Sequence, residues 1–239
     1  MNSAELTSQR ANMLKRRPAL SFLYSEWYSL IKQSLAPIDG KILELGSGGG
    51  FLKKELPQVI TSDILSGLDV DLVLDAKSIG DIFPNELSNL ILLNVFHHIN
   101  DSFVFLESAM RCLKPGGRIL MIEPANNIWS VFIYSVFRHE PFCPDQNSWN
   151  FSSHDPLRDS NQAQSWIVFK RDAFKFQKLY PDLYVTAWHS LMPFSYMMTG
   201  GFSFSFNVPR SIVRFVRRIE RKYFDKKFGL FTFIVIERK

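Results

Sequence analysis

The chain has 239 residues, of which 46% are apolar, so it is long enough for one domain with a sizeable hydrophobic core. The net charge of +5 is only a mild basic excess, and Cys112 and Cys143 form no motif, which favours reduced thiols. No apolar run approaches the ~18 residues of a membrane-spanning helix, and the polar N-terminus lacks a signal-peptide pattern, so we predict a cytoplasmic protein.

The first 39 residues are predicted to form an N-terminal helical lid. Residues 1–17 look frayed, whereas apolar side chains recur at steps of three and four from Leu20 to Leu35. In the simpler interpretation this helix only packs on the first strand. In the alternative, aromatic side chains of the helix also face a ligand: Tyr24, Trp27 and Tyr28.

A glycine-rich turn follows the first predicted strand. The apolar run Lys41–Leu45, which contains Glu44, leads directly into the sequence G-S-G-G-G at residues 46–50. This pattern is typical of a buried parallel strand, a ligand-binding turn and a helix, because glycine lets the backbone adopt positive φ and approach a ligand closely. The dinucleotide fingerprint requires glycine or alanine where this chain has Phe51, so a nicotinamide cofactor fits poorly.

Two further predicted strands also end in an acidic residue. Gln58–Ser62 precedes Asp63, and Val70–Leu74 precedes Asp75. A carboxylate at the carboxyl edge of a sheet can accept hydrogen bonds from a ribose diol or an adenine amino group. Each acid alone is as typical of a turn, but three successive strands ending in Glu44, Asp63 and Asp75 favour a common ligand site.

The next segments continue the alternation of strands and helices. We predict a fourth strand at Asn89–Val95, a helix from Asp101 to Leu113, a turn at Lys114–Gly117 and a fifth strand at Arg118–Ile122. Such alternation predicts a parallel sheet with right-handed crossovers.

These features resemble the class I S-adenosylmethionine (SAM)-dependent methyltransferases, most closely the branch that acts on small molecules and lipid precursors. The similarity covers residues 40–125 and rests on E-x-G-x-G-x-G from Glu44 to Gly50, on Asp63 and Asp75, on Asn94–His98 and on Lys114–Gly117. It implies an α/β fold with a doubly wound Rossmann-like sheet, mostly parallel with one antiparallel strand, and helices on both faces.

The resemblance also implies a site for SAM. The glycine turn and Glu44 would serve the methionine portion, Asp63 the ribose, Asp75 with Ala76 the adenine, and Asn94 would lie beside the sulfonium. The predicted cofactor-binding residues are Glu44, Gly46, Ser47, Gly48, Gly50, Asp63, Ile64, Asp75, Ala76 and Asn94.

The whole chain is interpreted as a single methyltransferase domain. Residues 40–125 would form the SAM-binding core, residues 126–182 and 191–227 substrate-side insertions, and residues 228–239 the last strand, which is antiparallel in this family. The segment 191–208 is rich in Met and Phe and is expected to cover the substrate.

Methyl transfer from a sulfonium needs alignment and a dry site rather than a covalent nucleophile. We therefore predict methyl transfer to a small-molecule or lipid- or glycan-linked acceptor, with His98 either serving as base or only packing. A non-catalytic SAM-binding regulatory or assembly protein is the alternative, and a nicotinamide oxidoreductase is a distant third. The candidate substrate residues are Tyr28, His139, Glu140 and Trp149.

No metal site is predicted. His97 and His98 are adjacent at a strand end, where neighbouring side chains usually diverge, and no acidic partner has suitable spacing.

The segment 209–227 is predicted to be a basic amphipathic helix with one apolar face. Three interpretations remain open: a charged outer face, an interfacial helix on anionic membrane, or a nucleic-acid surface. Membrane binding would depend on Arg214, Arg217, Arg218 and Arg221. We expect no DNA partner, because residues 94–97 lack the Asn/Asp-Pro-Pro-aromatic sequence of methyltransferases acting on DNA bases. The oligomeric state is left open.

Overall fold

The computed structural model describes residues 3–48, 51–137, 140–153, 155, 159–204, 206 and 208–239. The strands are β1 Lys41–Leu45, β2 Val59–Asp63, β3 Leu72–Val73, β4 Leu87–Leu93, β5 Leu113–Pro124, β6 Leu183–Leu191 and β7 Phe231–Arg238. The helices are α1 Ser3–Arg16, α2 Pro18–Ser34, α3 Leu52–Glu55, α4 Ile79–Ile82, α5 Ser102–Cys112, α6 Ile128–Phe137, α7 Gln164–Trp166, α8 Ala173–Leu179, α9 Ser195–Met198, α10 Arg210–Tyr223 and α11 Asp225–Phe228.

The seven strands form one sheet in the order β3-β2-β1-β4-β5-β7-β6, with β7 antiparallel to both of its neighbours. Helices cover both faces: Phe105 of α5 packs on one side, and Leu23 and Trp27 of α2 pack on the other. Because a central parallel strand is buried on both faces, β4 is buried along almost its whole length, and its residues 90–93 are all apolar. The predicted doubly wound, mostly parallel fold is confirmed.

The predicted frayed N-terminus is wrong, because residues 3–16 form α1. Leu14 of this helix is buried. The guanidinium of Arg17, which follows α1, donates to the carbonyl oxygens of Gly201 and Phe204 at 2.7 Å each. These contacts hold the start of the chain against a segment almost two hundred residues away.

Two core elements differ from their predicted bounds. The third strand is only Leu72–Val73, and both residues are exposed. Beside it, the carboxylate of Asp71 accepts hydrogen bonds from the amide and hydroxyl of Thr61 at 2.8 and 2.9 Å, so a side chain replaces a backbone partner. The predicted turn at Lys114–Gly117 instead belongs to β5, where the pairing register with β4 shifts.

Helix α10 is oriented differently from the prediction. It buries Val213, Arg217 and Glu220, whereas Phe215 and Tyr223 are 61% and 62% exposed. Arg217 contacts carboxylates of Glu26, Glu220 and Asp225 at 2.9, 2.7 and 3.0 Å, and this buried ion cluster overrides the apolar periodicity. The prediction that Arg217 lies on the outer basic face is therefore wrong.

Within the described residues, no helix has both the length and the apolar character needed to cross a bilayer.

Candidate functional site

A cavity of about 850 Å³ lies at the carboxyl edge of the sheet. Strand ends and the glycine turn form one wall, and α1, α2, α6, α9 and residues 200–204 and 206 form the others. The cavity brings together most of the predicted cofactor residues: Glu44, Gly46, Ser47, Gly48, Asp63, Ile64, Asp75, Ala76 and Asn94. Two predicted site residues lie outside the described residues: the cofactor candidate Gly50 and the substrate candidate His139.

The glycine turn adopts backbone conformations that side chains rarely tolerate. Gly46 and Gly48 have φ of +62° and +56°. A Cβ on Gly46 would lie 2.5 Å from Cγ2 of Val95, so this position needs glycine for packing. A Cβ on Gly48 would meet only a methyl group of Thr7 at 3.3 Å, so this part of the turn opens toward the cavity. The two glycines therefore have different physical roles.

Glu44 carries a buried carboxylate oxygen that is available for hydrogen bonding to a ligand. Its side chain is buried, and its Oε2 atom has no hydrogen-bond partner among the described residues. Burial raises the pKa of this carboxyl to about 7. On another wall of the cavity, the buried Oε1 of Gln162 also lacks a partner among the described residues. Since buried polar atoms are almost always hydrogen-bonded, both atoms are available to accept hydrogen bonds from a ligand with donor groups.

Asp63 links the glycine turn to the end of β2. Its Oδ2 accepts a hydrogen bond from the amide of Gly48 at 3.1 Å, and its Oδ1 accepts one from the amide of Leu65 at 3.0 Å. Burial raises the pKa of its carboxyl, and these hydrogen bonds to amides act in the opposite direction. The aspartate is thus fixed at the cavity wall, with lone pairs remaining for a ligand.

Asp75 is more exposed and partly engaged in local structure. Its Oδ1 accepts a hydrogen bond from the amide of Lys77 at 2.9 Å, and its Oδ2 lies 3.5 Å from the ammonium of Lys77. The position of Asp75 therefore fits both a role in the turn and a role in binding a ligand.

Asn94 lies directly after β4 and has φ of +54°, a conformation that asparagine tolerates better than most residues. Its backbone N–H donates to the carbonyl oxygen of Ile122 at 2.8 Å.

A buried chain of ionisable groups reaches the cavity wall through His97, His98 and Glu140. His97 Nδ1 is 2.6 Å from Oε2 of Glu123, and His97 Nε2 is 3.2 Å from Oε2 of Glu140. Glu123 is fully buried, and the amides of Val95 and Phe96 donate to its Oε1 at 2.9 and 2.8 Å. Burial alone lowers the pKa of His97, but the two carboxylates outweigh it and raise the pKa to about 10.

His98 packs against His97, with ring centres 4.3 Å apart. The expected divergence of these two side chains is therefore wrong. The cause lies in residues that are distant in sequence: His98 Nδ1 is 3.3 Å from the carbonyl oxygen of Asp159, and its Nε2 is 3.8 Å from Oε2 of Glu140. Burial, followed by the charge of His97, lowers the pKa of His98 to about 4.

Of the candidate substrate residues, Tyr28 and Glu140 line the cavity, and Trp149 does not. Trp149 is fully buried, its ring stacks on Phe103 with centres 4.8 Å apart, and its Nε1 donates to Asp172 at 2.8 Å. Trp149 lies away from the cavity lining because the chain after α6 folds back to the start of α5, where Asn150 forms a bridge with Asp101.

Several residues of the cavity wall were not predicted. Arg10 comes from α1 and Tyr134 from α6. Arg10 was missed because residues 1–17 were expected to be frayed. The Met- and Phe-rich composition of residues 191–208 predicts a segment that covers the substrate, and this segment contributes Tyr196, Met197 and Phe202 to the cavity.

Comparison with known proteins defines the fold but not the family. No protein-family model matches the sequence, and no curated protein sequence is similar to it. Solved structures do match. One is the geranyl diphosphate C-methyltransferase of Streptomyces coelicolor A3(2), solved with Mg²⁺, geranyl diphosphate and S-adenosyl-L-homocysteine, which has 12% identity and a TM-score of 0.52 over 92% of this chain and 78% of that one.

Two further structures have similar scores. The [4+2]-cyclase SpnF shares 13% identity with a TM-score of 0.51 over 90% of this chain and 80% of that one. The YcgJ protein of Bacillus subtilis shares 13% identity with a TM-score of 0.50 over 89% of this chain and 97% of that one. At this level of identity the likeness shows that the chain has the fold of these proteins, a mostly parallel seven-stranded sheet flanked by helices.

Proposed function

We propose that the protein is a SAM-dependent methyltransferase and that the cavity holds both the cofactor and the acceptor. The observation that carries this proposal is the buried carboxylate oxygen of Glu44, which has no hydrogen-bond partner in the part of the chain that the structure describes and lies next to glycines in left-handed backbone conformation. An ammonium group, such as that of the methionine portion of SAM, would supply the missing donor.

The remaining contacts follow from the positions of the side chains around Glu44. Asp63 would accept hydrogen bonds from the ribose hydroxyls, Asp75 and Ala76 would lie near the adenine, and Asn94 would lie beside the sulfonium. Helices α1 and α2 would close the site as a lid through Arg10, Tyr24 and Tyr28, which line the same cavity. The cofactor would carry the electrophile, and the protein would align the acceptor and exclude water.

Fold alone does not assign this activity, since SpnF shares the fold and its name describes a cyclase. A non-catalytic SAM-binding protein also remains the alternative. A feature that favours catalysis is the volume of about 850 Å³, which falls within the usual range of small-molecule sites and leaves the end beside His98 for an acceptor.

Much of the cavity lining is apolar. It includes Ile133 and Phe137 of α6, Met197 of α9, and Phe202 and Phe206. Phe137 and Phe206 are 39% and 53% exposed, so this apolar lining continues to the protein surface. We therefore propose an acceptor with an apolar or lipid-linked portion, whose polar end would meet Glu140 and His98.

We expect Asp63→Ala to weaken SAM binding by roughly tenfold to a hundredfold, because a charge-assisted contact contributes ~1.5–3 kcal/mol. Isothermal titration of SAM into wild type and variant measures this change. Asp69→Ala, which removes an acid outside the cavity lining, is the matched control and should bind SAM as wild type does. Equal SAM affinity in folded wild type and Asp63→Ala would show that the ribose does not bind at Asp63.

We also propose that α10 docks on anionic membrane. Four of its apolar side chains form what we call the outer row, and all are exposed: Ile212, Phe215, Ile219 and Tyr223. Their spacing of three or four residues places them on one side of the helix. Exposed basic side chains lie beside the outer row: Arg214, Arg218, Arg221 and Lys222. An exposed apolar row next to cationic groups is typical of a helix at the surface of an anionic bilayer.

The docking is tested by flotation with vesicles of phosphatidylglycerol and of phosphatidylcholine. We expect salt-sensitive binding to the anionic vesicles only. Arg214→Glu with Arg218→Glu should weaken it by at least about 30-fold, since each basic residue near the surface contributes ~1 kcal/mol. Phe215→Ser should also weaken binding, whereas Phe174→Ser, which changes an exposed Phe of α8, should not. Equal binding to both vesicle types at low salt would contradict the proposal.

A further inference from the structure

Three potential metal ligands converge at the wall of the cavity. They are one ring nitrogen from each of His97 and His98 and a carboxylate oxygen of Glu140, and the three ligand atoms lie within 4.8 Å of one another. His97 Nε2 and His98 Nε2 are 3.2 and 3.8 Å from Oε2 of Glu140. Ligands at ~2.1 Å from a tetrahedral metal ion are about 3.4 Å apart, so only small side-chain shifts are needed to surround an ion.

The imidazole rings of His97 and His98 are also oriented by hydrogen-bond acceptors at their Nδ1 atoms, on the side of each ring opposite Glu140. Nδ1 of His97 is 2.6 Å from Oε2 of Glu123, and Nδ1 of His98 is 3.3 Å from the backbone carbonyl of Asp159. With the Nδ1–H groups donated to these acceptors, both Nε2 atoms are left as ligands facing Glu140. Metal-binding histidines almost always make such an outer contact with a carboxylate or a carbonyl.

The local charge is consistent with a divalent cation. Glu123 is fully buried, and the side chain of Glu140 is 20% exposed. A metal ion would displace the proton that His97 holds between Glu123 and Glu140, and the two carboxylates would then balance the charge of a divalent ion.

We propose that His97, His98 and Glu140 form a binding site for a divalent transition-metal ion of the Zn²⁺ type. Two imidazoles and one carboxylate are the protein ligands of known catalytic zinc sites, in which a further position stays open. Here that position faces the cavity, because all three side chains line it. It could take an oxygen atom of the acceptor. Metal binding would thus be a second function of the cavity, and it does not depend on which cofactor the cavity binds.

The experiment is a titration of the chelator-treated, dialysed full chain with Zn²⁺ by calorimetry and with Co²⁺ by visible absorption. We expect one ion per chain, with Co²⁺ bands of a tetrahedral or five-coordinate site. Glu140→Gln and His98→Ala should each weaken binding more than a hundredfold, beyond the 10–100-fold effect usual for an outer contact. Two controls remove the same residue types elsewhere and should bind the ion as wild type does: Glu86→Gln and His189→Ala.

The proposal is overturned if wild type binds no stoichiometric ion, which would leave His97 and Glu140 as a simple ion pair. It is also overturned if the ligand variants bind the ion as tightly as the controls do. Circular dichroism establishes that each variant is folded, and His98→Asn replaces His98→Ala if the latter is not. A parallel titration of wild type with SAM separates the two proposals, because a wild type that binds SAM but no metal ion refutes only the metal site.

Discussion

Replacing Arg217 by methionine should lower the free energy of unfolding by about 3–5 kcal/mol, the usual cost of removing one partner from a buried ion cluster. Arg217 is 3% exposed and contacts three carboxylates, from Glu26, Glu220 and Asp225. Without the guanidinium, these acids would remain together in a poorly solvated place. Methionine keeps much of the side-chain volume of arginine. The decrease in the free energy of unfolding would therefore measure the missing charge rather than lost packing.

The cluster also fixes the segment that leads into α9. Glu220 accepts hydrogen bonds from the amides of Phe194 and Ser195 at 2.6 Å each, and Asp225 accepts one from Met192 at 3.1 Å. Chemical denaturation of Arg217→Met measures the effect, with Arg218→Met as the control, because Arg218 is exposed on the same helix. We expect the control to change stability by less than about 0.5 kcal/mol. Equal stabilities of the two variants would show that the cluster does not stabilise this part of the fold.

Gly46→Val should cost about 2–6 kcal/mol of stability, because two penalties of ~1–3 kcal/mol each combine. The first is a β-branched residue at φ +62°, and the second is the approach of its Cβ to within 2.5 Å of Val95. Gly48→Val has the φ penalty at +56° but only a 3.3 Å contact with Thr7, so it should cost no more than ~1–3 kcal/mol.

Titration of SAM into Gly46→Val and Gly48→Val distinguishes a glycine that is needed for packing from one that is needed for contact with the ligand. Gly48→Val, where folded, should lose SAM binding, because its side chain would enter the space between turn and ligand. Thermal denaturation without ligand provides the stability comparison. A Gly46→Val protein as stable as Gly48→Val would contradict the packing role of Gly46, and normal SAM binding by Gly48→Val would contradict the ligand role of the turn.

Local patterns predicted the half of the site that is built from strand ends. A buried parallel strand brings its last residue to the carboxyl edge wherever it sits in the sheet, so Glu44 and Asp63 could be placed from the sequence. Asn94 follows from β4 by the same argument. The short β3 was harder, because the Asp71 contact with Thr61 leaves no trace in an apolar pattern.

The other half depends on contacts between residues far apart in sequence. Glu140 meets His97 across 43 positions, and no spacing rule predicts that approach. The orientation of α10 depends on Glu26, which lies 191 positions from Arg217, so apolar periodicity gave the wrong buried face. Trp149 was assigned to the substrate because it lies in a long loop, and only the packed structure shows that this loop returns to α5.

The most direct test of the central claim is a crystal structure of the full chain with S-adenosyl-L-homocysteine. We predict one molecule in the cavity, with its ammonium on Glu44, its ribose hydroxyls on Asp63 and its adenine beside Asp75 and Ala76. The sulfur atom should then face the end of the cavity that contains His98 and Glu140. Binding at another place, or an empty cavity at saturating ligand in crystals whose cavity is open to solvent, would contradict the account.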